Sequence, residues 1–471
     1  MAFGFFRKNE SADLIIRGGT ICTLDADLPY AEAVACKDGI IIGVGDEEDI
    51  AEFEGKATEI IDLEGSFLVP GFIDTCGHPV SRCFSGMGNI LSDPFDLDTV
   101  LGEITTYVDA HPEEEYYFFR GYDEVILKDK TTEETRALLD EITDEKPVVV
   151  MGESGVHCWF NTYMLDMAKA AAEEEEMPVI TLSYLISLIE PFDYDELRRN
   201  VIEIAKDYCS RGFTSVFDCG SPDFFDSVYQ EILMGMFNED MSKQRYFGAL
   251  LVNRDFNPAA ITYKLSQKRT ACMELDGIFN FNTLTVVLDE TSKGSRISQE
   301  SAEKIIAEAA ERGFDIYVEA KGEDMVFEAL ADLRNLRNAG CKKNIFTIAY
   351  DGEIETDEDL DFEEDIFETV STLDKDKDFA VLDSAGSVEE AVDLLTSAAA
   401  IQLGAFDRLG SIEKGKCADF AVFKTNPLEA PGVAALRNTE AEMTIMNGRV
   451  VYDKEEDEAS KWYAMMASGI C

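Results

Sequence analysis

From Ala12 to Val69 short apolar runs alternate with turn residues: Leu14-Ile15-Ile16 before Arg17-Gly18-Gly19, then Ile21 to Leu24, Ala31 to Cys36 and Ile40 to Val44. Asp38-Gly39 separates the last two runs, a pair that suits a tight hairpin, so the stretch predicts a small β module. The far end repeats the pattern with Asp419 to Phe423, Met443 to Met446 and Arg449 to Tyr452, the last two parted by Asn447-Gly448. Each segment alone is too small to bury a face, which predicts one discontinuous sheet domain built from both chain ends.

Between about Pro70 and Gly404 the period changes. Strand-like runs (Pro147 to Met151, Thr214 to Phe217, Phe247 to Val252, Leu284 to Leu288, Asp315 to Glu319, Ile345 to Tyr350) alternate with amphipathic stretches such as Tyr194 to Arg211 and Gln299 to Arg312. Those two stretches carry apolar residues at three- and four-residue steps and run into Gly212 and Gly313, the usual stop at a helix carboxyl end. The rhythm predicts a (β/α) barrel or a doubly wound sheet, and periodicity alone does not choose between them. Acidic runs at Glu113 to Glu115, Glu173 to Glu176, Asp357 to Asp365 and Asp374 to Asp378 read as solvated loops or helix faces.

Composition narrows the function. The 471 residues are 46% hydrophobic, enough for a large core, yet 95 acidic against 41 basic side chains leave a net charge of −54. Such a surface repels nucleic-acid phosphates and anionic membranes, so neither is expected as a partner. The excess is spread along the chain, as a solubility device or an adaptation to a salty cytoplasm would be. The 11 Cys include no C-x-x-C pair, which fits a reducing compartment. The opening MAFGFFRKNESAD is too short in apolar residues for a secretory signal, and no stretch approaches the roughly 20 apolar residues of a membrane span. A cytoplasmic protein is the expectation. Gly-rich phosphate loops and Ser-His-Asp patterns are absent.

The segment Phe67-Leu68-Val69-Pro70-Gly71-Phe72-Ile73-Asp74-Thr75-Cys76-Gly77-His78 resembles the first barrel strand of the amidohydrolase superfamily, where PGFID leads to a His-x-His metal pair. Residues two apart on a strand share a face, so two ligands can converge on one ion. Ala12 to Thr20 is similar to the family's first strand and hairpin, and Asp407 to Phe420 to its return into the same β module. Gly121 to Glu124, Pro147 to Val150 and His157-Cys158-Trp159-Phe160-Asn161 resemble an insertion of the amidohydrolase-3 branch, as do Gly212 to Gly220 and Asp289 to Arg296 their counterparts there. The resemblance implies an α/β fold: a (β/α)8 TIM-like barrel, with its last strands cut short, plus a small composite β-sandwich domain. Residues 11–68 with 405–455 would form the composite domain and 69–404 the barrel, including an insertion at about 85–165.

Relatives of this kind hydrolyse carbon–nitrogen bonds with a metal that lowers the pKa of bound water and an Asp that moves the proton. Their ligand set needs four His; this chain has three, His78, His111 and His157. Cys76 stands at the first position of the pair, Glu319 where a later strand carries an imidazole, and Tyr350 where the family's next one falls. The resemblance thus implies Cys76, His78 and Glu319 as metal ligands, Asp383 as the shuttle, and His157, Trp159 and Tyr350 as substrate contacts. The metal would be zinc or another divalent ion held by an incomplete family set. Alternatively Cys76 is a small buried residue left by a decayed site, and Trp159 packs in the insertion's core. His111, before Pro112 and three Glu, reads as a surface residue. Three functions stay open: a hydrolase of small-molecule carbon–nitrogen bonds with an altered site, a barrel that binds a small molecule or partner without turnover, and a structural subunit of a homo-oligomer.

Overall fold

The computed structural model describes residues 11–77, 79–84, 88–93, 95–152, 158–174, 182–189, 193–220, 223–239, 241–273, 275, 277–289, 297–350, 366–370, 382 and 385–467. His78, His157 and Asp383, three of the candidate site residues, lie outside them.

The predicted strands of the middle form one parallel sheet. Its seven strands, in chain order, are Phe72–Gly77, Phe213–Asp218, Arg245–Val252, Phe279–Asp289, Asp315–Lys321, Phe346–Tyr350 and Ile366–Val370, each pairing with the next. A doubly wound sheet reverses its strand order at a switch point, whereas this order runs straight through, which is the winding of a barrel. Among the described residues no strand joins the seventh to the first, and residues 371–381, where a further strand would begin, lie outside them. Beside the first strand, Ile73 N–H donates instead to Leu395 C=O at 2.8 Å, just after the helix Val388–Leu394.

Side chains divide by strand parity. Ile73, Phe217, Cys219, Phe247, Ala249, Tyr317 and Ala349 form an inner core closed by Ala399, Ala400, Ala405 and Leu409. The alternate positions, among them Val286, Val318, Phe346 and Ile348, pack outward against helices such as Gln299–Glu311 and Glu323–Ala339. The helices Tyr194–Ser210 and Gln299–Glu311 end where the Gly signals place them.

Both chain ends build two small sheets. One orders Ile40–Gly45, Ala33–Lys37, Leu14–Arg17 and Glu59–Asp62; the other orders Arg449–Asp453, Met443–Met446, Phe420–Phe423, Phe67–Pro70, Thr20–Cys22 and Tyr30–Ala31. They enclose a shared core including Leu14, Ile16, Val34, Ile41, Leu68, Phe420 and Ile445. Both hairpin turns take positive φ at their two central residues, +49° and +77° at Asp38-Gly39 and +53° and +73° at Asn447-Gly448, as the sequence predicts. Between the first and second barrel strands sits a separate sheet of Asn89–Ile90, Tyr117–Tyr122, Val148–Gly152 and Cys158–Phe160 with its own core.

Candidate functional site

In barrels of this kind the reactive groups stand at the carboxyl ends of the strands. The first two strands end here in matching turns. Asp74, the Asp of the PGFID run, accepts the Cys76 N–H at 3.1 Å through Oδ1 and the Tyr208 hydroxyl at 2.8 Å through Oδ2. Asp218 accepts the Gly220 N–H at 2.8 Å and a short hydrogen bond from the Tyr246 hydroxyl. A carboxylate that holds the N–H two residues ahead bends the backbone, and the strand register shifts between Val216 and Asp218 at this point. The bend turns Cys76 and Cys219 toward each other.

The two thiols are neighbours, and the Tyr317 hydroxyl donates to Cys76 Sγ at 3.6 Å. Tyr317 is steadied by Phe217, ring centroids 5.2 Å apart. Glu319 lies two residues along the same strand, registered beside the inward Ala349 and only 3% exposed. Burial, then the hydrogen bond with Cys76, then the charges of Cys76 and Glu319 push the Cys219 thiol well above its ordinary range. Burial and the same neighbours push the Tyr317 hydroxyl up likewise. Cys219 and Tyr317 are therefore both protonated at neutral pH. At the rim, Lys321 Nζ stands 3.6 Å from Asp289 Oδ2.

Of the four described residues expected at the site, the structure brings two together. Cys76 and Glu319 share the inner cluster. Trp159 is 3% exposed in the insertion's core, its Nε1–H donating to Thr135 C=O at 2.6 Å and its ring edge-on to Tyr122. Neighbouring Asn161 spends its amide on backbone groups of Val148, Met164, Thr143 and Lys146. Tyr350 packs with the outer core, because inward Ala349 leaves position 350 on the opposite face. Strand parity thus removes Tyr350 from the cluster, and a structural role absorbs Trp159. His111 caps the helix Leu97–Ala110 and stacks on Tyr107 at 4.0 Å. Sequence reasoning missed Cys219 and Tyr317. The signals were there: Cys219 closes the second strand's run as Cys76 closes the first's, and Tyr317 alternates with Glu319.

Among the described residues no three His, Cys, Asp or Glu side chains are arranged to hold a metal ion. Cys76 Sγ accepts from the Tyr317 hydroxyl, and the expected donors His78 and Asp383 lie outside the described residues. Among the described residues, too, no helix is long and apolar enough to cross a membrane.

Comparison with known proteins agrees with the fold. The chain is 27% identical to the exoenzymes regulatory protein AepA of Pectobacterium carotovorum over 244 residues, 47% of this chain and 52% of that protein. It is 33% identical to the adenine deaminase of Bacillus subtilis over 107 residues, 20% of this chain and 17% of the deaminase. The chain thus spans about half or less of the length of these relatives. An uncharacterized metal-dependent hydrolase from Pyrococcus furiosus superposes with a TM-score of 0.55 at 17% identity, over 88% of this chain and all of that one. The model of the amidohydrolase family matches residues 59–351 and 371–452, which take in the first barrel strand, the thiol cluster and the return into the terminal sheets. By that match and by its straight-wound sheet with paired terminal modules, the chain belongs to the amidohydrolase family.

Proposed function

We propose that this chain uses the amidohydrolase barrel to bind a small organic molecule and has given up the metal-activated water on which family hydrolysis depends. The carrying observation is the state of Cys76. The residue at the family's first ligand position is a buried thiol whose Sγ accepts from the Tyr317 hydroxyl, with Cys219 beside it. A thiol must lose its proton to bind a metal, so the same burial weakens any such bond. The test is elemental analysis of protein purified without chelators or added metal and then offered zinc, beside a Cys76→Ala, His78→Ala double variant. The expected result is the same trace metal content in both. About one equivalent in the parent, lost in the variant, would overturn the reading.

One observation favours a second reading, hydrolysis of carbon–nitrogen bonds in small molecules. Glu319 is a carboxylate buried on the inner face beside Cys76, a costly residue to keep where nothing uses it. On that reading Cys76, His78 and Glu319 are the ligands of a divalent metal, Asp383 moves the proton and His157 meets the substrate. The same metal measurement separates the two, and an amide and amidine substrate screen of a metal-loaded parent follows only from its positive outcome.

A further inference from the structure

The pairing of Cys76 with Cys219 carries a consequence that neither reading of the barrel uses. The two residues end neighbouring parallel strands, with Gly77 in register with Asp218 and the Cys219 N–H donating to Gly77 C=O at 3.3 Å. Their side chains lie side by side in the inner cluster, with the Tyr317 hydroxyl donating to Cys76 Sγ at 3.6 Å. Two carboxylates, Asp74 and Asp218, set the strand-end turns that bring them there. We propose that Cys76 and Cys219 are a redox-active dithiol that closes to a reversible disulfide across the first two barrel strands.

The surroundings select this chemistry over capture of a soft cation. A soft cation would need two thiolates side by side in a buried site, where lost solvation opposes them. The dithiol and the disulfide are both neutral, so the interior penalises neither. The oxidant is a low-molecular-weight disulfide. Cys76, 9% exposed against 0% for Cys219, is the sulfur that meets it first. The Cys76 thiol gives up its proton and its sulfur attacks one sulfur of the small disulfide; that S–S bond breaks, and the departing thiolate takes the proton. The Cys219 sulfur then attacks Cys76 Sγ, expelling the second small thiol, which receives the Cys219 proton. In balance, two protein thiols are oxidised to one disulfide and one small disulfide is reduced to two thiols. The Tyr317 hydroxyl is left facing a poorer acceptor, which couples the redox state to the barrel's lining.

The experiment equilibrates the full chain in glutathione buffers of increasing oxidised fraction, quenches with acid, alkylates and maps the peptides. The expected product is a linked peptide carrying Cys76 and Cys219, two hydrogens lighter than its parts, formed with equal loss of alkylation at both and reversed by excess reduced glutathione. The other buried Cys, namely Cys22, Cys36, Cys83, Cys209, Cys272 and Cys417, keep their alkylation unchanged. Cys219→Ser should leave Cys76 trapped as the glutathione mixed disulfide, and Cys76→Ser should leave Cys219 unmodified. The parent alone decides if a variant fails to fold: both thiols still alkylated at the most oxidising ratio, or either linked to a different Cys, overturns the proposal. The readout is the sulfur bond itself, so it fails or succeeds separately from the metal measurement.

Discussion

Arg245 is a large side chain left 1% exposed, and its charge is tolerable only because of what meets it. Nε donates to Asp419 Oδ2 at 2.6 Å and Nη2 to Asp419 Oδ1 at 3.0 Å, while Nη2 also reaches Asn447 Oδ1 at 3.0 Å. Burial pulls the guanidinium down, and the charge and hydrogen bonds of Asp419 more than offset it, so it is held further up. This fork ties the start of the third barrel strand to a terminal strand and to the Asn447-Gly448 hairpin. Arg245→Ala leaves a buried carboxylate without its partner and should cost about 3–5 kcal/mol in urea unfolding. The paired change Arg245→Met, Asp419→Leu should recover most of that loss, since it removes both charges at once. Nothing in the spacing around Arg245 announces the pair: the partner is 174 residues away, and only folding brings it near.

At the scale of elements, the helices Gln299–Glu311 and Glu323–Ala339 lie side by side over the outer face of the sheet, and the acidic excess of the chain is felt between them. Asp332 is pushed up to about 6, first by burial and then by the charges of Glu303 and Glu328. Its ionisation is therefore easier in the unfolded chain, near pH 4, than in the folded one. The folded state suffers no penalty below that pH, loses stability as the pH climbs to about 6, and stays penalised above it. Asp332→Asn should raise stability at pH 7 by about 1 kcal/mol, an amount discounted for partial exposure, with no gain at pH 4. Denaturant midpoints at the two pH values check it. Elements of this kind were legible in the sequence, because helix period, Gly stops and Asp-Gly or Asn-Gly turns are properties of neighbours within a few residues. The two faces of a strand were less so. Tyr350 sits in the right strand at the family's ligand position, yet its side chain goes outward, since parity depends on where the register begins.

For the whole molecule the net charge of −54 is the dominant long-range term. Like charges spread over one surface repel in the compact state, and salt screens them with a Debye length that falls from about 10 Å at 0.1 M to about 3 Å at 1 M. The thermal midpoint should therefore rise by several degrees between those concentrations of potassium chloride, as circular dichroism would read. An unchanged midpoint would mean that the acidic residues are already neutralised by local ion pairs. The composite terminal sheets followed from the order of segments along the chain, because burying a face of each short segment leaves few ways to assemble it, whereas the choice of a barrel rested on the family resemblance. The sequence by itself determined the elements, their order and the position of Cys76 at the end of the first strand. Only the tertiary structure decided that Cys76 meets Cys219 and Tyr317, that Glu319 is sealed beside them, and that Trp159 and Tyr350 are spent elsewhere. Those contacts join residues that local pattern does not relate; they depend on the bend at Asp74 and Asp218 and on the register of neighbouring strands, which the packing of the whole barrel sets.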